Sequence, residues 1–305
     1  MIPYICKINI HSVLALRQQN LIVTHVGKIV GVLSGAYKKN NMDKNFMYGN
    51  CPASTQTLLF NEIILGRTEV YDTTRQNCWA FCKSTDIRNG IILSLGNLCG
   101  GYPFPFCGHV FRSSECAYLC GEFSLDAPLN RAIQQNLIDE PNAFVCKKVI
   151  KKANMEHVRQ DWAEIRLQWM LYVVWCKCIG NSEFRELLLS VPSDAVIIED
   201  STNNHGATAT LWGAKNKELK RCRWEKKKEV CAQHQGLKKN ALKLLVSEEC
   251  GKINNVGCFI GENNLGKILK MCQIALIHHV SPPIDYVLLK EKKIYLLGKL
   301  LTFNE

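Results

Sequence analysis

No stretch of this sequence is apolar for long enough to cross a bilayer. The best candidate, residues 21–33, is interrupted by His25 and Lys28 and falls short of the roughly 20 apolar residues a spanning helix needs, so it reads as a strand or a buried helix. A charged leader followed by a short apolar core is missing as well, as are internal repeats and low-complexity tracts, which sets aside secretion, solenoids and long disordered arms. The expectation is a cytoplasmic protein with no membrane partner. Acidic residues are also in short supply: 38 Lys and Arg face 27 Asp and Glu, a formal charge of +11, which suits an anionic partner such as a nucleotide or a nucleic acid.

Cysteine is plentiful, but its metal-binding patterns are not. The 16 cysteines are scattered through apolar and helical stretches. Cys176 and Cys178 form a C-x-C, and Cys116 and Cys120 stand four apart, yet neither pair is joined by a second pair that would complete a tetrahedral zinc set. These thiols read as reduced, and nothing in the sequence calls for a metal or an organic cofactor.

Residues 35–50 read as a polar linker with a boundary near residue 50. The first 70 residues form an N-terminal extension of unknown role, in which Met42 and Met47 offer alternative native starts. Residues 71–305 are expected to form the main domain. Cys99 to Gly108, rich in glycine and proline, reads as loop. Ser113 or Ser114 can cap a helix running past Tyr118, since a serine oxygen satisfies free amides at a helix start. The apolar spacing of Trp162, Ile165, Trp169, Tyr172, Val173 and Cys176 predicts a helix from Asp161 to Lys177. On it Arg166 and Lys177 share a face about 16 Å apart. They are either a phosphate-spanning pair or a solvated helix face.

Ala195 to Glu199 reads as a buried strand ending in the acidic pair Glu199 and Asp200, followed by a polar loop to Trp212 and Gly213. A basic helical hairpin is expected over about 215–258. Eleven Lys and Arg face three Glu between residues 215 and 243, which fits either a duplex-holding arm or a solvated helix. Gly261 to Lys267 then opens a last long helix, with Asn263 and Asn264 placed to cap it or to touch a ligand.

Five of these segments, in this order, resemble the NADAR (YbiA-like) family. They are Leu93-Ser94-Leu95-Gly96-Asn97 after Phe81-Cys82-Lys83; F-R-S-S-E-C-A-Y over Phe111 to Tyr118; the D-W-A-E-I-R helix with Arg166, Met170 and Lys177; Glu199 and Asp200 with Trp212-Gly213; and G-E-N-N-L-G-K at Gly261, Asn263, Leu265 and Gly266. The D-W-x-x-x-R start and the long insertion are closest to the branch that removes ADP-ribose from guanine. Where the family often carries an Asp before the W-G pair, this chain has Ala209, so that acidic role passes to Glu199 or Asp200.

The resemblance implies an α+β fold, predominantly helical around a small β-sheet. It also implies an N-glycosidase acting on ADP-ribosylated guanine in an antitoxin-like role, with phosphorylated riboflavin-pathway intermediates as the alternative substrate and a non-catalytic ADP-ribose-binding module as the alternative class. The expected partner is an ADP-ribosylated nucleobase or nucleotide glycoside, with DNA held by the basic insertion. Breaking such a bond needs a carboxylate beside an oxocarbenium-like sugar and a proton for the departing nitrogen. Glu115, Lys177 and Asp200 are the catalytic candidates. Glu115 supplies the carboxylate, and Lys177 binds phosphate or attacks the opened sugar as an amine. Phe81, Lys83, Ser94, Asn97, Ser113, Ser114, Arg166, Glu199, Trp212, Gly213, Asn263 and Gly266 are the binding candidates. Of these, Trp212 is either core or a stacking surface for a base.

Overall fold

A computed structural model describes residues 58–303. The expectations for residues 21–33 and 35–50, and for a boundary near residue 50, lie outside the described residues. So does most of the 1–70 extension.

The chain builds around α4 (Trp162–Gly180), the long helix whose apolar positions were plain in the sequence. Ile165, Trp169, Val173 and Cys178 on this helix are fully buried. Across it lies α1 (Ser114–Glu122), a short helix whose residues are all buried. The two backbones approach closely because the Trp169 indole Nε1 donates to the carbonyls of Ala117 and Tyr118, at 3.3 and 3.2 Å. Gly121 makes room for the same ring: a Cβ there would overlap the indole. The remaining helices of this layer are α2 (Pro128–Asp139), opened by a proline at its first position; a helical stretch over 143–153 (α3), π-helical across Cys146–Ile150; and α5 (Ser182–Ser190).

The sheet is small and made of short ladders. β2 (Cys78–Phe81) pairs in parallel with β7 (Val196–Glu199), and β1 (Glu69–Asp72) pairs antiparallel with β8 (Cys258–Gly261). Single bridges from Asp200 to Ala214 and from Lys215 to Ile260 tie the two ladders into one surface. On it packs α9 (Asn264–His278), the last long helix, with Asn264, Leu265, Ile268 and Cys272 buried. Three hairpins lie outside this surface: β3 (Ile87–Arg88) with β4 (Ile91–Ile92), β5 (Phe104–Phe106) with β6 (His109–Phe111), and β9 (Tyr295–Leu296) with β10 (Lys299–Leu300). A short helix α10 (Tyr286–Glu291) precedes the last of them. The fold is therefore α+β and predominantly helical.

Two features differ from the sequence reading. The stretch read as loop over Cys99–Gly108 contains strand β5, because Phe104 and Phe106 alternate into the core on either side of exposed Pro105. Residues 58–70, read as extension, pack on α9: Phe60 is buried, and the Lys267 Nζ bonds the carbonyls of Ile64 and Arg67 at 2.8 Å and the Glu69 carboxylate at 2.9 Å.

Residues 217–251 form two helices that pack on each other, α7 (Lys217–Gln233) and α8 (Lys239–Gly251). α6 (Ala209–Trp212) is a single turn before them. Among the described residues no helix is long and apolar enough to cross a membrane.

If the α1–α4 crossing is as tight as Gly121 requires, Gly121→Ala forces a rearrangement of a fully buried indole. The expected loss is about 1–3 kcal/mol, read as a lower urea midpoint at unchanged slope. An unchanged midpoint would show that the crossing is looser than described.

Candidate functional site

The parallel pair β2 and β7 ends with Phe81 opposite Glu199. Beyond these carboxyl ends opens a cavity of about 230 Å³. Its walls come from the loop 82–84, the loop 96–100, α1 through Glu115 and Tyr118, α3 through Lys147, α4 through Met170, and α6 through Trp212. Five binding or catalytic candidates, scattered over more than a hundred residues of sequence, therefore line one space: Phe81, Asn97, Glu115, Glu199 and Trp212.

The electrostatics of this space turn on three side chains. Glu115 is buried in the first turn of α1, and the Lys147 Nζ sits 3.0 Å from its Oε1. Glu199 shares the cavity with both. Burial pushes its carboxyl up to about 7; Lys147 pulls the other way, and Glu115 and Asp200 add to the rise. The Glu199 Oε2 is buried with no hydrogen-bond partner. A buried carboxylate is costly without partners, so near neutral pH Glu199 holds a proton for much of the time. Lys147 is raised despite its burial, because Glu115 and Glu199 surround it with negative charge. The Tyr118 hydroxyl is pushed well above its usual value by burial and by Glu122 and Glu115. Its ring meets Trp212 edge-on at 5.3 Å.

Several candidates hold this arrangement in place and do not line the cavity. Asn263 adopts a left-handed backbone at φ 51°, and its side chain satisfies both outward groups of β7: Nδ2 donates to the Ile197 carbonyl at 2.8 Å, and Oδ1 accepts from the Glu199 amide at 3.0 Å. It is a clamp on Glu199. Gly266 and Gly213 permit the approach, since a Cβ at either would overlap the Ile197 carbonyl or Ser201 and the Glu199 carbonyl. Ser113 caps α1, its Oγ accepting from the Cys116 amide at 3.3 Å. Ser114 Oγ donates to Asn97 Oδ1 at 3.0 Å, and the Glu115 amide donates to the Asn97 carbonyl at 3.1 Å. The Cys116 and Glu115 amides are thus bonded within the protein, which braces Glu115. Ser94 donates to the Ser84 carbonyl at 2.6 Å and braces the loop beside it.

Four candidates sit elsewhere. Side chains alternate along a strand, so Asp200 points away from Glu199; it accepts from the Thr202 amide at 2.9 Å and from Arg223 at 3.3 Å, which anchors α7. Lys177, expected on an open helix face with Arg166, is wholly buried. Its Nζ lies 4.0 Å from the Phe184 ring and 5.4 Å from Tyr102, with no hydrogen-bond partner, and burial lowers it to about 8. It lies outside the cavity lining. Arg166 is half-buried outside the lining, and its Nε finds no partner. Lys83 is exposed, and its amide donates to Asp86 at 2.7 Å.

Lys147 was missed in the sequence. It belongs to a lysine-rich stretch with Lys148, Lys151 and Lys152, in which Lys147 and Lys151 reach Glu115 and Glu122 of α1, the second pair at 2.6 Å. The available signal was two lysines four apart matching two glutamates seven apart on the facing helix. The π-helical turn at Cys146–Ile150 lets these spacings meet. Among the described residues, no group of His, Cys, Asp and Glu is arranged to hold a metal ion.

No family model and no curated protein matches the chain. The solved structures include a match, the NMR structure of the E. coli protein YbiA, with 19% identity and a TM-score of 0.34 over 59% of this chain and 90% of that one.

The unfolded chain releases the Glu199 proton near 4.5 and the folded protein near 7, so Glu199 contributes stability that is present below about 4.5 and lost as pH rises through 7. Glu199→Gln should therefore stabilise the protein by roughly 1–3 kcal/mol at pH 8 and leave it nearly unchanged at pH 4. Thermal denaturation at the two pH values measures this, and an equal gain at both would exclude a proton-linked cost.

Proposed function

We propose that this chain is an N-glycosidase that hydrolyses the ribose–nitrogen bond of ADP-ribosylated guanine, the activity implied by its sequence resemblance to the NADAR family. The observation that carries the reading is the pairing of a proton-holding Glu199 with an ion-paired Glu115 in one cavity. A carboxyl group that holds a proton beside one that is ion-paired is the arrangement an oxocarbenium-forming cleavage requires.

Glu199, protonated near neutral pH, donates its proton to the departing nitrogen as the bond to the anomeric carbon breaks. Glu115, ion-paired with Lys147, faces the positive charge that develops on the sugar. It then accepts a proton from the water that adds to that carbon. Lys147 positions the Glu115 carboxylate through their ion pair. Trp212 and Phe81 supply ring surfaces to the base and sugar, and Asn97 a polar group. The cavity is smaller than the roughly 300–1,000 Å³ of sites that enclose a drug-sized ligand. It therefore takes the sugar and the scissile nitrogen, while the rest of the substrate lies outside. Lys177 and Asp200 take no part in these steps.

The root of the basic hairpin favours a nucleic-acid substrate over a small phosphorylated intermediate. Asp200, the residue after Glu199, grips Arg223 of α7, so the arm springs from the edge of the cavity. Lys217, Lys220, Lys227 and Lys228 are exposed along α7. Trp224 is 55% exposed beneath Lys228, whose Nζ lies 3.6 Å from its ring centroid. An exposed indole among lysines offers stacking and phosphate contacts together.

The test is mass spectrometry of a guanine-ADP-ribosylated oligonucleotide incubated with the protein, with phosphorylated riboflavin precursors as competitors. Restored guanine is expected, falling at least about 100-fold in Glu115→Ala. The rate should decline as pH rises through 7, where Glu199 gives up its proton. Charge reversal at Lys220, Lys227 and Lys228 should weaken turnover and flatten its salt dependence. Cleavage of the precursors alone would move the substrate class, and tight binding without product would replace catalysis with sensing.

A further inference from the structure

The cavity's ion pair is bordered by a second pair. Cys116 follows Glu115, and Cys146 precedes Lys147. The two sulfurs lie 3.2 Å apart, both buried and both free thiols. They join the same two elements, α1 and α3, that the Glu115–Lys147 pair joins one residue away.

We infer that Cys116 and Cys146 are an oxidisable pair: a hydroperoxide converts them to a disulfide that disables the cavity, and reduction restores it. The loss of cleavage, though not the formation of the disulfide, rests on the glycosidase reading above.

The chemistry balances with hydrogen peroxide as the two-electron oxidant. The Cys116 thiolate attacks one peroxide oxygen, giving a sulfenic acid and hydroxide. The Cys146 thiol then attacks that sulfur and expels water, so two thiols and one peroxide become one disulfide and two waters. Cys116 is the suited nucleophile. Hydrogen bonds from Cys146 and from the Ser113 hydroxyl, at 3.1 Å, hold its thiol below the usual range, with burial opposing them. Glu115 and Lys147, the chain neighbours of the two cysteines, line the cavity, and hydrogen peroxide is small and uncharged. A disulfide needs its sulfurs about 2.05 Å apart, so closure shortens their 3.2 Å separation by about 1 Å. Glu115 and Lys147 are the chain neighbours of the two cysteines, and catalytic groups tolerate little displacement of that size.

The experiment uses the full chain, reduced, then exposed to hydrogen peroxide and quenched with an alkylating agent. Peptide mapping is expected to show a Cys116–Cys146 linked peptide, with cleavage of the modified oligonucleotide falling at least about tenfold and dithiothreitol restoring both. Cys116→Ser and Cys146→Ala should keep their activity under peroxide. Should either variant fail to fold, mapping of the wild type stands alone. Absence of the linked peptide, or a linked protein that cleaves as before, overturns the inference. If the reduced wild type cleaves nothing, the glycosidase reading fails, and the linked peptide alone decides whether the pair oxidises.

Discussion

One lysine cannot neutralise two buried carboxylates. Lys147 sits against Glu115, and the field it leaves over is too weak to hold Glu199 ionised at neutral pH against burial. The division of labour proposed for the cavity follows from that shortage of positive charge. A second cation in the space would leave two carboxylates and no acid. Lys177 lies outside the cavity lining, with its Nζ against the Phe184 and Tyr102 rings.

The backbone serves the same end. Glu199 ends a parallel strand, where its side chain leaves the sheet toward the cavity while Asp200 turns the other way to hold the hairpin. Asn263 and the missing side chains at Gly213 and Gly266 fix that strand end from behind. On the opposite wall Asn97 and the Ser113–Ser114 cap fix Glu115. Much of the polar chemistry near the cavity is thus spent on orienting two carboxyl groups, the usual pattern in sites whose rate depends on preorganisation.

The long helix, the strand into Glu199, the capped turn at Ser113 and the basic hairpin were legible in the sequence, because each has a local signal: apolar spacing, a buried run, a capping serine, a charge block. The motifs of the family resemblance named Phe81, Asn97, Glu115, Glu199 and Trp212, and the fold gathers these around one cavity. Less legible was which of the motif residues face that cavity. Helical spacing left Lys177 open between a phosphate-spanning pair with Arg166 and a solvated face, and it does not show that the Lys177 Nζ lies against the Tyr102 and Phe184 rings. Lys147 carries no local signal, because a π-turn has no periodic signature. Strand β5 was hidden by its glycine- and proline-rich surroundings, which dominate local propensity even where tertiary packing overrides them.

The protonation state of Glu199 can be read directly by carboxyl carbon NMR titration of the wild-type protein and of Glu115→Gln. A midpoint near 7 is expected in the wild type. In the variant the midpoint should fall toward the ordinary carboxylate range, because the like charge is gone and Lys147 is freed to face Glu199. A wild-type midpoint near 4.5, or a variant midpoint that stays or climbs, would contradict this expectation.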